Sequence, residues 1–142
     1  MSRKHPVIVV TGSSGAGTST VRKALESIFH RQKISSVVIE GDSFHRYNRA
    51  EMQQKMAEAG NAGVRLSHFG EQANRFDRLE QLFRTYGETG GGQRRFYLHD
   101  DDEARRHGER LGVECVAGDF TPWEEIEPGT DLLFYEGLHG LV

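Results

Sequence analysis

Four consecutive apolar residues, Val7-Ile8-Val9-Val10, end at Thr11, and a glycine-rich stretch separates them from a segment with a different period. An unbroken apolar run of this length reads as a strand buried on both faces, the kind found in parallel sheets. From Val21 to about Arg31 the apolar positions Val21, Leu25, Ile28 and Phe29 recur at helical spacing. Val37-Val38-Ile39 is a second buried strand, ending at Glu40-Gly41-Asp42, so the first three elements predict a βαβ unit. Asp131-Leu132-Leu133-Phe134-Tyr135-Glu136-Gly137 is a third apolar strand with an acid near its end.

Between the second and third strands the pattern is less even. Arg49 to about Ala59 has helix-forming composition and runs into Gly60-Asn61-Ala62-Gly63, a turn. From Glu71 to Tyr86 the residues Phe76, Leu79, Leu82, Phe83 and Tyr86 form an apolar stripe that predicts a core-facing helix, closed by Gly87. Gly90-Gly91-Gly92 is a flexible connector, and Arg95-Phe96-Tyr97-Leu98-His99 reads as a short strand near the surface. Asp100 to Gly118 is charged and weakly patterned, and reads as a solvated insertion. No internal repeat or low-complexity tract is evident.

The stretch Gly12-Ser13-Ser14-Gly15-Ala16-Gly17-Thr18-Ser19 lies between a strand and a helix, where a phosphate-cradling loop belongs. Its glycines allow a tight turn that brings backbone N–H groups up to phosphate oxygens, and the helix points its positive dipole end at the same anion. Ser19 occupies the magnesium-binding hydroxyl position of G-x-x-x-x-G-K-[ST]. Thr18 occupies the lysine position, so another cation must supply the charge that a lysine would bring to the β- and γ-phosphates. The bland alternative is a glycine-rich turn that holds nothing.

At 142 residues, with a net charge of -3 and 36% hydrophobic residues, the chain fits one globular domain, residues 1–142. A pI near 6.2 and a mean hydropathy of -0.61 give no general attraction to nucleic acid or an anionic membrane, so small-molecule partners are expected. The apolar runs are too short to span a bilayer and the polar start Met1-Ser2-Arg3-Lys4-His5 shows no cleavable signal pattern, which makes a cytoplasmic location the default. Cys115 is the only cysteine, so no disulfide can form within the chain.

Phosphoryl transfer needs a cradle for the donor phosphates, a magnesium ion, a group to orient and deprotonate the attacking oxygen, and cations for the developing charge. Asp42, just beyond the second strand, is placed to accept the proton of a substrate hydroxyl; its ordinary alternative is a turn or helix cap. Glu136, at the third strand, is placed like an acid that holds magnesium or its water, the alternative being a plain strand-end acid. His45, Arg46 and Arg49 gather potential cations near Asp42 and suit a phosphorylated substrate, with Arg94 and Arg95 as weaker candidates. His99-Asp100-Asp101-Asp102 lacks further ligands at defined spacing and reads as a solvated acidic loop rather than a metal cluster.

Four segments together, Gly12 to Thr20, Glu40 to Arg49, Tyr86-Gly87-Glu88-Thr89-Gly90 and Phe134-Tyr135-Glu136-Gly137-Leu138-His139-Gly140, closely resemble the bacterial type of phosphoribulokinase. The resemblance implies an α/β, P-loop NTPase-like fold with a mainly parallel sheet and flanking helices. It implies ATP-dependent phosphorylation of the 1-hydroxyl of D-ribulose 5-phosphate, with ATP and Mg2+ required and a homo-oligomeric assembly. Carried over by position, it makes Asp42 the catalytic base, His45 and Arg49 contacts for the sugar phosphate, and Gly12, Ser13, Ser14, Gly15, Ala16, Gly17, Thr18, Ser19 and Thr20 the ATP loop. Ser19 and Glu136 fall on the magnesium side, and bacterial members also tend to carry threonine at the position of Thr18. A lysine expected shortly after Arg49 is absent, with Gln53 near that place and Lys55 two residues on.

The plant-type cysteine switch cannot operate, because Ala16 stands in the loop and there is one cysteine. Phosphoribulokinases of this type are considerably longer, so the chain reads as an amino-terminal portion cut short after the third core strand, leaving apolar surface and an unpaired edge there. The alternatives are a nucleotide-binding module without turnover and a P-loop kinase for another small molecule such as uridine.

Overall fold

A computed structural model describes residues 4–12, 17–63, 66–67 and 70–138. The described chain forms two compact units, one built from residues 1–41, 76–94 and 124–142, the other from residues 42–75 and 95–123.

The first unit is organised by a three-stranded parallel sheet of β1 (Val7–Thr11), β2 (Ser36–Glu40) and β5 (Leu132–Gly137), in the order β1-β5-β2. The three apolar runs form these strands as their composition predicts. The βαβ unit differs in one respect: β1 and β2 are parallel but not neighbours, because β5 inserts between them, pairing Val7 with Leu133 on one side and Val37 with Leu133 on the other. The third strand is therefore the centre of the sheet. Leu132, Leu133, Phe134 and Tyr135 are all buried, so this strand is itself away from an edge, and β1 and β2 are the outer strands of the described sheet.

Alternate residues of β5 serve opposite layers. Leu132 and Phe134 pack with Phe29 of α1 (Thr18–Arg31), supported by Ile8, Val10, Leu25 and Val38. On the other face Tyr135 meets Phe83 of α3 (Phe76–Thr89) edge to face, ring centroids 5.5 Å apart. The apolar stripe of α3 buries Leu79, Leu82 and Tyr86, and the Tyr86 hydroxyl bonds Thr130 Oγ1 at 2.8 Å. The unit is thus a helix–sheet–helix sandwich, an α/β fold with a parallel core.

Helix α3 differs from its expected limits at both ends. Glu71–Ala73 is a single 3-10 turn, and Asn74 is extended, so the helix starts at Phe76. It runs through Gly87 and stops at Gly90, whose positive φ of 75° supplies the left-handed exit while its N–H bonds the Tyr86 carbonyl. Beyond it, β3 (Gln93–Arg94) pairs antiparallel with β4 (Glu124–Glu125).

In the second unit, α2 (Arg49–Asn61) begins at a capping box in which the Asn48 side chain accepts from the Glu51 N–H and the Glu51 side chain accepts from the Asn48 N–H. The segment expected as a strand over residues 95–99 is not one: Tyr97 makes an isolated bridge to Phe120, and Phe96 and Leu98 bond irregularly to Thr121 and Asp119. The supposed solvated insertion contains a helix, α4 (Asp101–Leu111). Its acids explain the misreading, since Asp100 caps it by accepting from the Glu103 N–H while Asp101, Asp102 and Glu103 occupy the first turn, where the helix dipole favours negative charge. Gly112, at φ 68°, ends it.

Gly41 and Gly137 close in on the Tyr135 hydroxyl at the carboxyl ends of β2 and β5. A Cβ added to Gly137 would lie 2.6 Å from that hydroxyl and 2.9 Å from the Gly41 Cα. Tyr135 is 2% exposed and its side chain has no room to withdraw. Gly137→Ala is therefore expected to destabilise the chain by about 1–3 kcal/mol, read as a lower urea midpoint at unchanged slope.

Candidate functional site

The carboxyl ends of three parallel strands gather at one edge of the first unit's sheet, the edge at which α/β folds place ligands. The glycine-rich stretch leaves β1 at that edge. Gly12 and Gly17 to Thr20 are described, whereas the expected loop residues Ser13, Ser14, Gly15 and Ala16 lie outside the described residues. Gly17 is the residue before α1, in a left-handed conformation at φ 82°, and Thr18, Ser19 and Thr20 form the first turn. Unlike α2 and α4, α1 has no side-chain cap and no acid in its first turn. Among the described residues the Thr20 and Val21 N–H groups turn in to the Gly17 carbonyl, and a helix start without acids presents its positive dipole end to an anion.

Glu136 sits in β5 between Val10 of β1 and Glu40 of β2 in register. Glu40 accepts from Arg22 at 2.6 Å, and burial, Glu40 and Glu26 act together on Arg22 with a raised guanidinium pKa as the outcome, although burial alone works against the charge. That pairing leaves Glu136 as the strand-end acid without an ion-pair partner among the described residues. No cluster of three acid, histidine or cysteine ligands occurs among the described residues. Ser19, in the first turn of α1, and Glu136, in β5, are the hydroxyl and the carboxylate that the sequence pattern expects on the magnesium side.

Asp42, His45 and Arg49 are brought together in the second unit, lining a cavity of about 440 Å³ with Tyr47, Asn48, Met52, Gln53, Met56, Ala73 and Tyr97. Asp42 is the second residue of the 3-10 turn Gly41–Phe44 that follows β2. His45 Nε2 lies 3.3 Å from Asp42 Oδ1, and His99 Nε2 lies 3.1 Å from Oδ2. Hydrogen bonding from His45 first, and from His99 after it, holds the Asp42 carboxyl at about 2 against burial, which pulls the other way. Hydrogen bonding to Asp42 likewise raises the His45 pKa, with burial opposing it, Asn74 helping and the charge of Arg95 opposing.

The ring orientation of His45 follows from its neighbours. Asn74 Nδ2 donates to the Gly70 carbonyl, which turns Asn74 Oδ1 toward His45 Nδ1 at 2.8 Å. Both ring nitrogens of His45 therefore face acceptors, and only the doubly protonated ring donates to both. Arg49 is the first residue of α2, and its Nη2 donates to the His99 carbonyl at 2.9 Å. Its side chain lies across Gly118, where an added Cβ would come within 3.1 Å.

The remaining candidates fall elsewhere. Arg46 is exposed and is not among the cavity-lining residues. Arg94 lies in β3. Arg95 is structural: its guanidinium stacks over Phe120 at 3.7 Å and Trp123 at 4.6 Å and donates to the carbonyls of Ser43 and His45. Gln53 lines the cavity, while Lys55 lies beside Glu58 at 3.9 Å and over the Tyr47 ring, so the nearby lysine is not turned into the cavity. Sequence reasoning passed over His99, which it placed in an acidic loop, and over Tyr97 and Asn74. Nothing in their local pattern announces them, because their partners are 57 residues away for His99 and 29 for Asn74.

Comparison with known proteins bears on both units. Residues 7–142 match the Phosphoribulokinase / Uridine kinase family. The chromosomal phosphoribulokinase of Cupriavidus necator is 56% identical over 141 residues, covering 99% of this chain and 46% of that protein. The phosphoribulokinase of Nitrobacter vulgaris is 52% identical, covering 100% of this chain and 47% of its own length. The solved structure of phosphoribulokinase from Rhodobacter spheroides superposes with a TM-score of 0.80 at 45% identity, covering 98% of this chain and 45% of that one. The chain thus spans a little under half the length of the relatives it matches.

The charge states of Asp42 and His45 predict a stability window. Asp42, lowered from 3.8 to about 2, stabilises the fold fully above pH 3.8 and loses that contribution as pH falls toward 2. His45, raised above 6.5, stabilises the fold fully below pH 6.5 and loses that contribution as pH rises through its folded value. The pair contributes most between 3.8 and 6.5. Thermal unfolding followed across pH should show Tm falling on both sides of this window, and His45→Gln should flatten both flanks.

Proposed function

The chain belongs to the Phosphoribulokinase / Uridine kinase family, and from that premise we propose that it phosphorylates the 1-hydroxyl of D-ribulose 5-phosphate at the expense of ATP, giving D-ribulose 1,5-bisphosphate. The observation that carries this reading is Asp42, an ionised carboxylate flanked by His45 and sharing a cavity with Arg49. A proton acceptor beside two phosphate-binding cations suits a substrate with a reacting hydroxyl at one end and a phosphate at the other.

In this reading all 142 residues belong to one kinase domain. ATP lies on Gly12 to Thr20, with its phosphates on the α1 N-terminus, and the sugar 5-phosphate lies against His45 and Arg49. The 1-hydroxyl oxygen attacks the γ-phosphorus in line; its proton goes to Asp42, the bond to the β–γ bridging oxygen breaks, and ADP leaves. Ser19 and Glu136 would hold Mg2+, which would supply charge neutralisation for the transferring phosphoryl group. Asp42 holds the hydroxyl in line, Arg49 grips phosphate with two parallel N–H groups, and His45 adds a second positive charge. The family reading also suggests a soluble, cytoplasmic homo-oligomer; no helix among the described residues is long and apolar enough to cross a membrane.

ADP release by the chain with magnesium, ATP and ribulose 5-phosphate tests the proposal, with ribose 5-phosphate and uridine as control acceptors. Uridine is a fair control because Met52, Met56, Ala73 and Tyr97 give the cavity an apolar wall. Release that requires ribulose 5-phosphate is the expected result; release with uridine instead would reassign the acceptor, and ATP binding without release would leave a nucleotide-binding module. Asp42→Asn is expected to lower kcat by about 10²–10⁴-fold with ATP affinity nearly unchanged. Arg49→Ala is expected to raise KM for the sugar phosphate, measured in the same assay.

A further inference from the structure

Asp42 has two histidine partners, and the second carries information that the first does not. His45 lies in the same turn as Asp42, three residues on, so its hydrogen bond alone leaves the carboxylate able to rotate about Cβ–Cγ. His99 approaches the other oxygen from a segment 57 residues away. Two donors on two oxygens, from independent pieces of chain, fix the plane of the carboxylate.

His99 is itself held at each polar group. Its ring Nδ1 lies 3.0 Å and its backbone N–H 2.9 Å from the same oxygen, Oε2 of Glu103. Its carbonyl accepts from Arg49, and its ring meets Tyr97 edge to face at 4.9 Å. Glu103 is anchored in the first turn of α4, where its N–H bonds the capping Asp100. Hydrogen bonding from the His99 backbone and ring keeps the Glu103 pKa low, outweighing burial, which is the largest single influence and acts in the opposite sense. The ring thus stands between two carboxylates that would otherwise repel, and it satisfies both only by donating from both nitrogens.

We propose that His99 is a positioning residue: locked by Glu103 and Arg49, it orients the Asp42 carboxylate for proton transfer from the substrate hydroxyl. The chain Asp42–His99–Glu103 ties the reacting acid to the N-terminus of α4 and gives that helix a role in the site. This rests on Asp42 being the base, as in the proposed function. The groups that face Asp42, directly or at one remove, are His45 from its own turn, His99 and Glu103 from α4 and its approach, Arg49 from α2, and Arg95 acting on His45.

The test is titration of the Asp42 carboxyl carbon by NMR in the 142-residue chain, unaltered and as His99→Ala and His99→Gln. His99→Ala should move the midpoint up from about 2 by roughly one unit, and His99→Gln, which restores a neutral donor and guards against loss of folding, should fall between. In turnover, His99→Ala should lower kcat by roughly tenfold with KM for ATP unchanged, and His99→Gln should recover part of it. A midpoint unmoved in folded His99→Gln and His99→Ala chains would overturn the proposal. The titration needs no turnover, so a correctly shifting chain whose Asp42→Asn variant keeps full turnover would overturn the base assignment while leaving the orientation of Asp42 by His99 standing.

Discussion

A strand buried on both faces and paired on both edges has no freedom of place, and β5 is such a strand. Leu133 is the register partner of both Val7 and Val37, while Phe134 and Tyr135 face opposite helices. Once β5 is inserted, β1 and β2 are forced apart and their carboxyl ends brought to one edge with its own. The Glu40–Glu136 register pair and the Gly41–Gly137 approach over Tyr135 are consequences of that pairing. Each strand is short, so the order depends on burial rather than on ladder length.

Charge organises the second unit differently. Its cavity combines cations, a carboxylate and an apolar wall, with Asp42 paired to His45 and Arg49 bonded to the His99 carbonyl. Asp42 is held toward its ionised form because two imidazoles share it; His45 is biased toward its protonated form because Asp42 and the oriented amide of Asn74 both accept from it. For a sugar phosphate bound as proposed, such preorganisation would leave the positive charges already in place, with little reorganisation on binding. It also separates Arg49, a cavity-lining cation, from Arg95, whose guanidinium is held between aromatic rings and backbone carbonyls.

What was legible in the residues follows the range of the forces. The three strands, the helix after the glycine-rich loop and the stripe of α3 are periodic patterns that burial selects directly, and the structure contains each of them. The insertion of β5 between β1 and β2 was not legible, because strand order is a long-range choice that local pattern does not encode. Helix α4 was missed because acids that stabilise a helix start also look like a solvated loop; the spacing Asp100 to Glu103 was the available signal. Asp42, His45 and Arg49 could be singled out from their shared segment, since one turn and a helix start bring them together. His99 joins them only through tertiary packing.

The central claim is that a sugar phosphate and a nucleotide have separate places on this chain, the first at Asp42, His45 and Arg49 and the second at the start of α1. NMR chemical-shift mapping with each ligand added alone tests it most directly. Ribulose 5-phosphate should perturb the ring signals of His45 and the Arg49 side chain, and ATP with magnesium should perturb the amides of Gly17 to Thr20. Perturbation of the α1 start by the sugar phosphate, with His45 and Arg49 silent, would contradict the account.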